Sequence, residues 1–497
     1  MSSSSTPSVS APSPASAAKS SGEQGLPRGE FAATDVRRIA GIVGGMRYGF
    51  GLDITRPAAW RREQLTRLRA LLVDRSADFE RALESDLGKA PTESQLTEIG
   101  FVVTEIDHAL AHLESWMRPK RVGVPLALQP ASARIVAEPL GVVLVIAPWN
   151  YPLMLALSPV VGALAAGNAV VIKPSELAPA TSALIARLVP DALDSRAVSV
   201  VQGGVPETTE LLAQRFDHIF YTGNGRVGRI VSRAAAEHLT PVTLELGGKS
   251  PAYVDGTAPL AEVAKRIAWG KFLNAGQTCV APDYVIGPSA VLRRLAPLLA
   301  DAVHELYGSA VAQNPDYGRI VNDAQFDRLV GYLSAGEVLV GGTHDRSTRF
   351  IEPTVLADIE PGSPILNEEI FGPILPLIPA ENLDEAIRLV RSGDKPLAAY
   401  VFSDDPAARR AWEERTSSGA LGFGAPVLHL SVPGLPFGGV GESGSGAYHG
   451  ERSFTVFSHQ KAVLTKPLAP DTLGPTIMPP YTQAKETLVR RWLGKLL

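Results

Sequence analysis

At 497 residues the chain is too long for one small core and suits two or three domains. Its 47 basic and 51 acidic residues leave a net charge of −4, which lacks the footprint of a nucleic-acid binder. A single cysteine, Cys279, excludes an intramolecular disulfide and a multi-thiolate metal site, and no run approaches the ~18 apolar residues of a membrane span, so neither a metal nor a membrane-spanning segment is expected.

Residues 1–33 are dominated by Ser, Ala and Pro, cannot bury enough apolar surface to offset ordering entropy, and read as a disordered tail. They lack the basic start and apolar core of a secretory signal, and with Lys19 as the sole cation before Arg28 they match a transit peptide poorly. From Thr34 the pattern turns helical: Leu65, Leu68, Leu72 and Phe79 recur near helical spacing, and Glu98, Val102, Glu105 and Ile106 mark a second amphipathic segment. Arg121–Glu138 has no helical period, contains Pro125 and Pro130, and reads as a hairpin or arm.

Then the cadence changes. Gly141–Ala147 is a β-branched run suited to a strand covered on both faces. Helical Val160–Ala166 follows, then strand Ala169–Ile172, helix Ala180–Leu188, strand Val198–Val201, helix Glu207–Gln214, strand His218–Tyr221, helix Val227–Ala236 and strand Val242–Leu246. That alternation predicts a doubly wound parallel sheet. A second α/β region starts near Gly247, with helices Leu260–Leu273 and Val291–Leu306 and strands at Tyr284–Ile286 and Ala399–Phe402. Glu486–Leu497 reads as a short basic amphipathic helix, packed or solvated.

Several segments can carry chemistry. Cys279, in Asn274-Ala-Gly-Gln-Thr-Cys279, is either a small buried hydrophobe or a nucleophile; Gly276 and the polar Gln277 and Thr278 beside it favour the second. Glu245 closes a buried strand pattern before two glycines, and is either paired with nearby Lys249 or a general base whose pKa burial raises. Asn150, just past the Gly141–Ala147 strand, caps a turn or stabilises an oxyanion with its amide. Gly223-x-Gly225-x-x-Gly228 lies between strand and helix, where a pyrophosphate can approach, but the acidic residue about 20 positions on is Glu245, so the dinucleotide fingerprint fits poorly. Lys173-Pro-Ser175-Glu176, at another strand end, suits a ribose. Glu368-Glu369-Ile-Phe371-Gly-Pro373 and Pro436-Phe-Gly-Gly439 are ambiguous alone.

Together, in this order, these segments resemble the aldehyde dehydrogenase superfamily, from Thr34 onward. Cys279-Val-Ala-Pro-Asp-Tyr284, Leu428-His-Leu-Ser-Val-Pro-Gly-Leu-Pro436 and Phe457-Ser-His-Gln-Lys461 are similar to its class 3 branch of fatty and aromatic aldehyde dehydrogenases. The resemblance implies an α/β fold: a doubly wound NAD(P)-binding domain over 34–246 with an oligomerisation arm at 121–140, an α/β catalytic domain over 247–440, and a segment 441–497 that completes the arm. It implies NAD(P)-dependent oxidation of an aldehyde to the acid, with Cys279 as nucleophile, Asn150 steadying the oxyanion and Glu245 activating water. Lys173, Ser175, Glu176, Gly223, Asn224, Val227, Glu369 and Phe371 are implied on the cofactor, and Tyr151 and Trp269 in the substrate channel unless they are only core.

The resemblance further implies a cytoplasmic homodimer, while Glu176, by charge repulsion with a 2′-phosphate, favours NAD with some use of NADP. Two departures stand out: Asn224 where the family turn has Ser, and Gly424-Ala425 where class 3 relatives carry Asn-Asp. Competing readings are a CoA-acylating or phosphorylating relative, a silent binding protein of the same fold, and a cysteine peptidase. Glu245 argues against the first, the intact site residues against the second, and the lack of a His near Cys279 against the third.

Overall fold

A computed structural model describes Met1, residues 31–125 and residues 128–492. The expected tail, apart from Met1 and residues 31–33, lies outside the described residues, as do 493–497 of the terminal helix, which is described as Gln483–Trp492.

The run Val142–Ile146 is buried at every position, as expected of a strand covered on both faces. It centres a six-stranded sheet in the order Gly444–Ser445, Val242–Glu245, His218–Thr222, Val142–Ile146, Ala169–Lys173, Val198–Val200. All neighbours are parallel except the first pair. The chain reverses its direction of progress between Val142–Ile146 and His218–Thr222, so the crevice at the carboxyl ends of these strands is a topological switch point. Helix Met154–Ala166 packs into the protein with every residue buried. It ends at Gly167, whose φ of 88° is left-handed, and a Cβ there would run into the buried guanidinium of Arg61.

The second sheet has seven strands in the order Glu337–Val340, Thr354–Ala357, Ile374–Pro379, Tyr284–Gly287, Pro251–Val254, Ala398–Phe402, Ala420–Phe423, parallel except for the first pair. Several of these strands are short and start or end at Pro or Gly, which is why the sequence pattern shows only the ones at Tyr284 and Ala399. The arm is a three-stranded antiparallel sheet, Lys120–Val122, Ser132–Pro139 and Ser458–Thr465. The segment after 440 therefore does two things. It adds Gly444–Ser445 beside Glu245 in the first sheet, then crosses to the arm.

Candidate functional site

The carboxyl edge of the first sheet carries these residues in strand order: Lys173 and Glu176, then Asn150, then Gly223, then Glu245. The second sheet contributes from its opposite, amino edge. Cys279 precedes strand Tyr284–Gly287, Glu369 precedes strand Ile374–Pro379, and Gly248 precedes strand Pro251–Val254. These strands are parallel neighbours, so their preceding loops lie side by side.

Asp283 ties the loops together. Its Oδ2 accepts from Lys249 Nζ at 2.5 Å and its Oδ1 from the Ile370 amide at 3.0 Å, while its own N–H donates to Ser250 O at 2.7 Å. Lys249 Nζ donates onward to the carbonyls of Ile365 at 2.8 Å and Glu368 at 2.9 Å. Lys249 is therefore committed to Asp283, and the expected alternative, a Lys249–Glu245 pair, does not form. A buried Asp bonded on both oxygens, inside a motif already singled out for Cys279, was the signal that sequence reasoning passed over.

The cysteine loop is held in an unusual backbone. Asn274, Ala275 and Gly276 have φ of 53°, 51° and 75°, three left-handed residues in succession. For Ala275 this costs about 1–2 kcal/mol. Surrounding amides enforce it. Asn274 Nδ2 donates to Asn150 O at 2.8 Å, Gln277 Nε2 donates to Asn274 O and Arg319 O at 3.0 Å each, and Gln277 Oε1 accepts from Val321 N at 3.0 Å. At Gly276 any Cβ would collide with the Gly372 carbonyl, next to Phe371.

Asn150 Nδ2 donates to Gln277 O at 3.0 Å, so the amide reaches the cysteine loop. Tyr151 does too, its hydroxyl 2.6 Å from Thr278 Oγ1. Glu245 is buried, and neither carboxyl oxygen has a hydrogen-bond partner among the described residues. Burial alone raises its pKa well above the ordinary carboxylate value. Cys279 is half-buried; burial first, then the carboxyls of Glu369 and Glu245, raise its thiol pKa. Glu369 accepts from the Gly248 N–H at 3.1 Å and is pushed up to about 8, by burial first and then by Asp283. Its carboxyl fills the space a Cβ on Gly247 would need. Phe371 meets Trp149 edge to face at 5.4 Å.

Along the first sheet, Lys173 Nζ pairs with Glu176 Oε2 at 2.6 Å. Ser175 Oγ accepts from the Leu177 N–H at 3.3 Å. Asn224 caps helix Gly225–Ala236, its Oδ1 accepting from the Val227 N–H at 3.0 Å, while the Gly223 N–H donates to Glu245 O at 3.0 Å. The Asn224 departure thus keeps a capping oxygen. Trp269 is half-buried in the last turn of helix Leu260–Phe272, and among the described residues no hydrogen bond or ring contact joins it to the cysteine loop. The Gly424-Ala425 loop packs on that helix, Gly424 O accepting from Arg266 Nη1 at 2.6 Å. Two bare glycine backbones against Glu369, an ion pair at one strand end and a capped helix start make a cradle that fits a dinucleotide.

Behind the loop lies an ion pair that sequence reasoning missed. Lys89 Nζ is 2.5 Å from Glu98 Oε1, both side chains fully buried. Glu98 Oε2 accepts from the Leu153 and Met154 N–H groups at 2.9 and 3.1 Å, where helix Met154–Ala166 begins. Lys89 Nζ also lies 3.4 Å from Asn150 O and 4.1 Å from the Tyr151 ring centroid. Glu98 falls on an apolar stripe at helical spacing, and that position was its only trace in the sequence.

Residues 29–463 match the aldehyde dehydrogenase family. The chain is 45% identical over 442 residues to the mouse (Mus musculus) protein named aldehyde dehydrogenase, dimeric NADP-preferring, covering 89% of this chain and 98% of that one. It is 47% identical over 437 residues to aldehyde dehydrogenase family 3 member B1 of Rattus norvegicus, covering 88% and 93%. Among solved structures, a substrate-bound aldehyde dehydrogenase of Staphylococcus aureus superposes with a TM-score of 0.89 at 41% identity, covering 92% of this chain and 99% of that one.

Proposed function

The chain belongs to the aldehyde dehydrogenase family and is an NAD(P)-dependent aldehyde-oxidising enzyme of class 3 type; on that premise we propose that Cys279, Asn150 and Glu245 carry the reaction, in a cleft between the two sheets. What supports this reading is a buried Glu245 carboxyl with no hydrogen-bond partner among the described residues and an Asn150 amide that donates to Gln277 O, two residues before Cys279.

Cys279 releases its thiol proton to solvent, and the resulting Sγ thiolate attacks the aldehyde carbon to form a thiohemiacetal oxyanion. The Asn150 amide and the Cys279 N–H donate to its oxyanion. The oxidant is supplied by a nicotinamide dinucleotide when bound, as a two-electron hydride acceptor. Glu369 and the Gly247–Gly248 backbone would hold a ribose of that cofactor, with Phe371 on the next turn of the same loop. Lys173, Ser175 and Glu176 would hold the adenosine ribose, and Gly223, Asn224 and Val227 would present the helix start to the pyrophosphate. The oxidised carbon remains on Sγ as a thioester. Glu245, having lost its proton, takes one from water, which attacks the thioester and releases the acid. Tyr151 and Trp269 flank the aldehyde's path.

Glu245→Gln is expected to retain a single-turnover burst of NAD(P)H yet lose steady-state turnover by roughly 10²–10⁴-fold. Because a raised pKa keeps the acid protonated to higher pH, wild-type kcat climbs as pH rises through that range, and the Gln variant lacks the climb. Full turnover by Glu245→Gln, or turnover requiring added CoA or phosphate, overturns the hydrolytic role.

NAD is preferred, with some use of NADP. A carboxylate near 4 Å from a phosphate costs about 1 kcal/mol even at bulk-water screening. Glu176→Gln therefore raises the NADP to NAD ratio of kcat/KM by about fivefold, and an unchanged ratio counts against the repulsion argument.

The exposed strand Ser458–Thr465 lies at the edge of the arm sheet, with one side unpaired among the described residues. Such an edge is an aggregation liability, and pairing with a second copy in a cytoplasmic homodimer covers it; sedimentation equilibrium tests this. No described helix is long and apolar enough to cross a membrane. A turnover panel over long-chain, aromatic and semialdehyde substrates with both cofactors tests the reading as a whole.

A further inference from the structure

The loop that carries Glu369 and Phe371 is gripped from two sides. Lys249 and Asp283 hold it from one. From the other, helix Asp323–Tyr332 presents Gln325, Arg328, Leu329 and Tyr332, which share one face at helical spacing. Arg328 Nη2 donates to Ile370 O at 2.8 Å, and Nη1 donates to Glu369 O at 3.4 Å. Gln325 Oε1 accepts from Arg328 Nε at 2.9 Å and steadies the guanidinium. The Tyr332 hydroxyl donates to Glu368 Oε2 at 2.6 Å, and Leu329 fills the space a Cβ on Gly372 would need.

Arg328 is half-buried and, among the described residues, makes no ion pair. Its planar fork of donors is spent on main-chain carbonyls instead of on an acid. What it holds adjoins a strained residue. Phe371 has a φ of 51°, a left-handed conformation that a side chain disfavours. Both polar groups of the preceding Ile370 are pinned by charged side chains from opposite walls, its N–H by Asp283 Oδ1 at 3.0 Å and its carbonyl by Arg328. Past Phe371, Gly372 is wedged between Leu329 and Gly276 of the cysteine loop. Strain of this kind persists only where the surroundings over-determine it. The same guanidinium bears on the carbonyl of Glu369, whose carboxyl accepts from the Gly248 N–H.

We infer that Arg328 is a positioning residue for the nicotinamide half of the cofactor, its fork holding the Glu369 and Ile370 carbonyls so that Phe371 keeps its left-handed turn and Glu369 its place against Gly248. The inference rests on the cofactor cradle and the aldehyde oxidation argued above, and adds a residue that acts on that cradle through the loop. The adenosine end, at Lys173 and Glu176, belongs to the other sheet and lies outside its influence.

Calorimetry with NAD and with ADP tests this, since ADP carries the adenosine and the phosphates but no nicotinamide ribose. Arg328→Met keeps the aliphatic stem and removes the fork. It is expected to weaken NAD binding about tenfold, to leave ADP binding within about twofold, and to slow single-turnover formation of NADH by about tenfold or more. Retained ADP binding also shows that the variant is folded. Arg328→Lys, which keeps the charge but can reach only one carbonyl, falls between the two. In a Glu369→Ala background, Arg328→Met weakens NAD by at most about threefold, because the carboxyl it positions is already gone. NAD affinity unchanged in Arg328→Met, equal losses for NAD and ADP, or a full tenfold loss in the Glu369→Ala background overturns the positioning role while leaving aldehyde oxidation standing. A wild-type protein that binds neither NAD nor NADP overturns the reading beneath it as well.

Discussion

Cys279→Ala is expected to lower aldehyde-dependent NAD(P)H formation by roughly 10⁴-fold or more, the size of effect seen when a nucleophile is removed. The reason is positional as well as chemical. The sulfur sits beyond three left-handed residues, in a loop clamped by Asn150, Asn274 and Gln277, so no other side chain can take its place. Burial and the neighbouring carboxyls disfavour the resting thiolate, which makes attack depend on a thiol proton finding a base. Cys279→Ser, with a far less acidic hydroxyl, is therefore expected to be nearly as impaired as the Ala variant. Stability changes little, within about 1 kcal/mol, because the side chain is small and half-buried. Turnover near the wild-type rate in Cys279→Ala, measured by absorbance of the reduced cofactor, removes the thioester mechanism.

The largest effect on stability is expected at Glu98. Glu98→Gln leaves the Lys89 ammonium fully buried without its counter-charge, at a cost of about 3–5 kcal/mol. It also weakens the acceptor for the first amides of helix Met154–Ala166, which lies wholly inside the protein. The thermal midpoint falls, and because Lys89 also touches Asn150 O and the Tyr151 ring, kcat falls with it. Lys89→Met with Glu98→Gln removes both charges and is expected to be less damaging than Glu98→Gln alone, since burying one unpaired ion costs more than burying none. A double variant as unstable as the sum of the singles contradicts that account.

The first sheet was legible in the sequence because its strands are buried on both faces. Val142–Ile146 and Ala169–Ile172 are unbroken apolar runs, the second ending at Lys173 and the first reaching Asn150 four residues on. The rule that ligands collect at those ends pointed to Asn150, while its joint role with Gly223 and Glu245 came from the family order of the motifs. The second sheet was legible only at Tyr284 and Ala399, and its part in the site escaped because it works from the other end. Its loops precede the strands, and the strands are short and bounded by Pro or Gly, so Asp283 and Lys249 carried no periodic signal although they pin the loops of Glu369 and Cys279.

By itself the sequence determined the chemistry available: one thiol, an acid closing a buried strand, an amide after another, and a family order of motifs that assigns them roles. Local patterns suffice for this, since residue type and strand burial are properties of neighbours along the chain. Only the tertiary structure decided whether Glu245 paired with Lys249 or stood bare, that a left-handed turn aims Cys279, and that Lys89 and Glu98 support the floor of the site. Those outcomes depend on which loops parallel strands set side by side and on where a buried charge meets its partner, and neither is encoded within a window of sequence.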